Sequence, residues 1–109
     1  MSEHHQRLTH LAASMTRGRT YRQCEPHTRR VPQPGHIALA MAQLPEFADV
    51  DHAACTRLAF AWLAGGTLAD ALATTAQTPR GAWAAARVKA KCEMLRGGAA
   101  RTPRWAHPT

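Results

Sequence analysis

Apolar residues recur along this chain at spacings of three and four, the period of a helix, and no segment shows the alternation of a half-buried strand. In EHHQRLTHLAASMT, residues 3–16, Leu8, Leu11 and Met15 fall on one helical face. Ile37, Met41 and Leu44 do the same in HIALAMAQL, and Pro45 ends that run. The clearest stripe lies in DHAACTRLAFAWLA, where Ala54, Leu58, Trp62 and Leu63 predict a core helix, capped by Asp49 or Asp51 and ended by Gly65-Gly66. Thr67 caps a short helix, LADALATTA, with Asp70 in the first turn, where a carboxylate complements the positive end of the helix dipole. Thr78-Pro79 marks another start, because proline is tolerated at the first helical position, and RGAWAAARVKAKCEML runs on to Gly97-Gly98. Alanine at 23 of 109 positions strengthens the helical reading at the expense of strand. The expected fold is a small all-α domain.

Two stretches fall outside this periodicity. RGRTYRQCEPHTRRVPQPG, residues 17–35, holds Gly18, Pro26, Pro32, Pro34 and Gly35, which break helix and strand alike and predict an extended basic arm or linker. Residues 98–109 have no period and read as a flexible tail. The chain thus divides into a basic N-terminal helix and arm over 1–35, a helical domain over 36–97 and a tail.

Charge adds a direction. Fourteen Lys and Arg against seven Asp and Glu give a net charge of +7, and the excess sits in the flanks. Six basic residues lie between Arg7 and Arg30 and seven between Arg80 and Arg104, whereas Arg57 alone serves the stretch from Val31 to Pro79. Basic residues gathered in this way are the electrostatic footprint of a polyanion binder. A solvated surface with no such partner would intersperse the two signs. No run approaches the roughly 20 apolar residues of a membrane-spanning helix. The first ten residues carry no apolar run that would make a secretory signal, so a cytoplasmic protein with reduced thiols is expected.

Combined, pattern and charge single out residues 67–96. A short helix, a turn and a longer basic helix form the arrangement of a helix-turn-helix, which asks for small residues where its helices touch and for donors on the outer face of the second. Ala73 is the expected small contact, Leu68 and Leu72 the inward face, and Trp83 the buried anchor. Arg80, in the first turn, has a planar fork suited to guanine O6 and N7, while the free amides at that end can hold a phosphate. Gly81 would let a DNA backbone approach closely. The candidate DNA contacts are Thr78, Arg80, Gly81, Ala84, Arg87, Lys89 and Lys91. On a helical wheel Trp83, Arg87, Ala90 and Met94 share one side and Ala84, Val88 and Leu95 another, so only one of these sets can face DNA.

The segment GTLADALATTAQTPRGAWAAARV, Gly66 to Val88, resembles the helix-turn-helix of TrfB/KorA-type repressors of broad-host-range plasmids, above all in the T-x-R-G-A that opens the second helix. The likeness covers about a fifth of the chain, and it departs from the family in Pro79 and in Gln77, where a turn glycine is usual. It implies a small helical homodimer that represses transcription from a palindromic operator, with Arg80-Gly81-Ala82 opening the recognition helix. A sibling repressor of the KorC type, or a phage regulator, fits the same residues.

Other chemistry finds less support. Cys24-x-x-His27, with His36 and His4-His5 nearby, has a ligand spacing but lacks a second paired motif, so no metal or other cofactor is expected. Cys55 and Cys92 read as small buried hydrophobes. The scattered carboxylates Glu25, Glu46, Asp49, Asp51, Asp70 and Glu93 form no acid–base pair, and an enzyme is not expected. The reading is a DNA-binding repressor acting on a double-stranded operator. Its alternative is a basic helical adaptor or inhibitor that grips an acidic protein.

Overall fold

The computed structural model describes residues 3–24 and 30–100, with side chains through residue 97. Every regular element among the described residues is helical: α1 (Glu3–Thr16), α2 (Tyr21–Cys24), α3 (Pro34–Met41), α4 (His52–Leu63), α5 (Leu68–Thr75) and α6 (Pro79–Ala100), with a 3₁₀ turn at Pro45–Phe47 between α3 and α4. Local chemistry accounts for most boundaries. Asp51, not Asp49, caps α4 by accepting the Ala54 amide at 2.9 Å. Gly65, at φ +123°, carries the chain out of α4 through a backbone region other residues avoid. Thr67 and Asp70 form a reciprocal capping box on α5, the Thr67 hydroxyl accepting from the Asp70 amide and the Asp70 carboxylate from the Thr67 amide.

One core joins nearly all of these elements. Leu8, Leu11, Ala12 and Met15 of α1 pack with Ile37, Ala38 and Met41 of α3, Leu58, Ala59 and Trp62 of α4, Ala71 of α5 and Val88 of α6. At its centre Trp62 is fully buried, its indole N–H donating to the Arg19 carbonyl at 2.6 Å. Tyr21 meets the same indole edge to face, at 5.7 Å between ring centroids.

That geometry corrects the expected extended arm over 17–35. Residues 17–24 fold onto the core, because a buried indole needs an acceptor for its N–H and the Arg19 carbonyl supplies it. Residues 25–29 lie outside the described residues. The division at 35 likewise does not separate two cores, since α1 packs directly on α3. A second correction concerns the end of α6. The helix continues through Gly97 and Gly98 to Ala100, and the rest of the expected tail lies outside the described residues.

Candidate nucleic-acid interface

Three residues separate the end of α5 from the start of α6, and Thr78 organises that junction. Its hydroxyl accepts the Gly81 amide at 3.0 Å and its carbonyl accepts the Ala82 amide at 2.7 Å. Arg80 points outward between these anchors. Gly81 does not. It is buried so tightly against the end of α5 that a Cβ on it would overlap the Thr75 carbonyl oxygen. The close approach that glycine permits is therefore helix on helix, which corrects its expected place at a DNA backbone.

Along α6 the two faces of the wheel separate. Ala84, Ala85, Val88 and Cys92 turn inward, while Trp83 and Met94 are exposed, Trp83 at 60%. Trp83 is thus not the expected buried anchor. Helix α6 turns Ala84, Ala85 and Val88 toward its neighbours α5 and the 3₁₀ turn, and Trp83, one position off that face, stands in solvent. Ala84 is buried and cannot reach a groove edge, so it leaves the set of candidate contacts. The small residue that α5 turns inward is Ala71, with Thr75, where Ala73 was expected; Ala73 is exposed.

The outer face is a linked cluster. The Arg87 guanidinium lies 5.0 Å from the centre of the Trp83 ring and donates to the Asp49 carboxylate at 2.7 Å. Lys91 reaches the same carboxylate oxygen at 3.7 Å. The Arg87 hydrogen bond, with the charges of Lys91 and Arg87, holds the Asp49 carboxyl below the usual carboxylate range. Asp49, released from capping α4, has become the counter-ion of α6.

Next to this cluster is a cleft lined by Asp51, Arg57, Pro79, Arg80 and Trp83. Arg57 belongs to this face, and sequence reasoning missed it. Its signal was its isolation as the single base in an acidic stretch, which only the packing of α4 brings beside Arg80. Lys89 stands apart, on the opposite flank of α6, facing a groove of about 590 Å³ between α5 and α6. Of the seven candidates, Arg80, Arg87 and Lys91 share one side with Trp83, Lys89 takes the other, Thr78 caps the end of the helix, and Gly81 and Ala84 lie inside.

Cys55 and Cys92 sit in the core, and Cys24 is half-buried against it. Burial pushes the Cys55 thiol up to about 11 and raises that of Cys92, so both are held protonated and unreactive at neutral pH. Among the described residues no three His, Cys, Asp or Glu side chains converge as metal ligands; His27 lies outside them. No helix among them is long and apolar enough to cross a membrane. No family model matches this chain, and no curated protein or solved structure is significantly similar to it.

Proposed function

We propose that this protein is a transcriptional repressor that binds double-stranded DNA, placing the first turns of α6 in the major groove of a palindromic operator as a homodimer. The observation that carries this reading is the exposed, Thr78-capped start of α6, with Arg80 outward, joined to α5 by three residues. The order of a short α5, a three-residue turn and a longer α6 whose outer side is exposed at Arg80, Trp83 and Met94 supports a helix-turn-helix reading. The likeness of Gly66–Val88 to the TrfB/KorA type supports the same roles.

Arg80 is the base-reading donor, suited to guanine. Thr78, whose hydroxyl proton stays available while its oxygen accepts the Gly81 amide, donates to a phosphate at the positive end of α6. Arg57 grips the backbone beside Arg80, and Lys89 grips it from the other flank. Arg87 and Lys91 share one carboxylate and contribute less than two free cations would. A single unit of this size covers little groove surface, and two copies on half-sites one helical turn apart reach useful affinity.

The test is binding to a randomised duplex pool at two salt concentrations, with the bound fraction sequenced. An enriched palindrome whose affinity falls steeply with salt is the expected result. Arg80→Ala should cost about 1–3 kcal/mol at one base position, whereas Lys89→Ala should weaken every sequence alike and lower the salt slope by about one. Binding to no duplex at either salt would overturn the reading in favour of an acidic protein partner.

A further inference from the structure

Trp83 raises a question the fold does not answer, because an indole 60% exposed contributes little to stability. Yet its surroundings are specific. Arg87, one turn ahead, covers its face at 5.0 Å and is itself held by Asp49 at 2.7 Å, so the ring has a fixed lateral support. Arg80 lies one turn behind, and the neighbouring positions Ala86 and Ala90 are short, which leaves the ring standing above the helix surface. An apolar plate braced by one guanidinium, with Arg80 lining the same cleft, matches a surface that is anionic at its edges and apolar at one point. In the major groove that description fits thymine, whose 5-methyl group is the apolar feature displayed among hydrogen-bonding edges and flanking phosphates.

We infer that Trp83 is a base-reading residue, packing its indole against thymine methyl groups in the operator half-site, while Arg80 and Arg87 engage the groove edge and backbone on either side. The inference rests on the DNA-binding reading and deepens it: the recognised half-site contains thymine opposite the second turn of α6. Position favours this partner, since Trp83 follows the capped first turn directly, in the part of a recognition helix that enters the groove.

The experiment pairs a variant protein with a variant base. A duplex recovered from the randomised pool is resynthesised with deoxyuridine in place of each thymidine, which removes the methyl and nothing else. Wild-type protein should lose about fourfold in affinity per contacted methyl, the worth of burying one such group. Trp83→Ala should bind the thymine duplex more weakly and no longer distinguish it from the uracil duplex. Trp83→Phe should retain part of the discrimination. Circular dichroism and thermal melting of both variants should match wild type, because the ring lies outside the core.

Equal penalties in wild type and Trp83→Ala, or no penalty in either, would overturn the role of Trp83 while leaving sequence-selective binding intact. If Trp83→Ala instead splits a dimer in sedimentation and the methyls go unread, the indole belongs to a second copy and the inference fails. A protein that binds no duplex at all overturns the DNA-binding reading itself.

Discussion

A methyl group at position 81 would collide with the Thr75 carbonyl, and a backbone oxygen cannot swing aside as a side chain can. Gly81→Ala should therefore cost at least about 3 kcal/mol, the upper range of overpacking penalties, in urea denaturation. Gly97→Ala is the matched control. Position 97 is helical with open space around the missing Cβ, so alanine there should stabilise by roughly 0.5–1 kcal/mol. The cysteines give a second test at this scale. With Cys55 raised to about 11 and Cys92 raised by burial, iodoacetamide at pH 8 should leave both unmodified in the native protein and label both after unfolding, as read by mass spectrometry.

At the scale of elements, much was legible because local chemistry decides helix ends. The α1 stripe of Leu8, Leu11 and Met15, the Thr67–Asp70 box and the Thr78-Pro79 start need only near neighbours, and each appears where its residues place it. What was not legible depended on distant partners. Nothing near Trp83 in sequence tells whether it or Ala84 faces the core; that follows from which side of α6 is turned toward α5 and the 3₁₀ turn. Tyr21 reads as part of a linker until Trp62, far along the chain, is seen to need the Arg19 carbonyl. Gly97-Gly98 looks like a helix stop, but glycine only permits an exit from a helix and does not compel one.

Asp49 gives a prediction about α6 as an element. Asp49→Asn keeps the shape, frees Arg87 and Lys91 and removes one negative charge from the proposed DNA face. DNA affinity should rise several-fold and the slope of log affinity against log salt should steepen by about one, measured by fluorescence anisotropy. Acid should expose the same bonds in the free protein. The carboxyls of Asp49 and Asp70 are held below their ordinary value by Arg87 and by the Thr67 amide respectively. Their contributions are present in full above that value and are lost as pH falls through the lowered one. Urea midpoints should hold level above roughly pH 5 and decline below it, less steeply in Asp49→Asn.

For the whole molecule, α1 and the stretch through Tyr21 are part of the core and not a detachable arm. Removing residues 1–35 takes Leu8, Leu11, Ala12, Met15 and Tyr21 out of the core and leaves the Trp62 indole N–H without its acceptor. Exposing that apolar face to water exceeds what a domain of this size can absorb, since total stability is about 5–15 kcal/mol. The truncated chain should lose its cooperative thermal transition by circular dichroism. Trp62→Phe, which removes the N–H and leaves the Arg19 carbonyl unpaired, should keep the transition but lower its midpoint.

The division of α6 into an inward set, Gly81, Ala84, Val88 and Cys92, and an outward set, Arg80, Trp83, Arg87 and Met94, bears on how such a protein can change over generations. Inward positions tolerate almost no variation, because each is fitted to backbone or core. Outward positions touch little of the fold, so single replacements there can drift or be selected with folding left intact. A lineage could exchange one recognition preference for another through successive viable intermediates, while the register of the helix stays locked by the glycine beneath it.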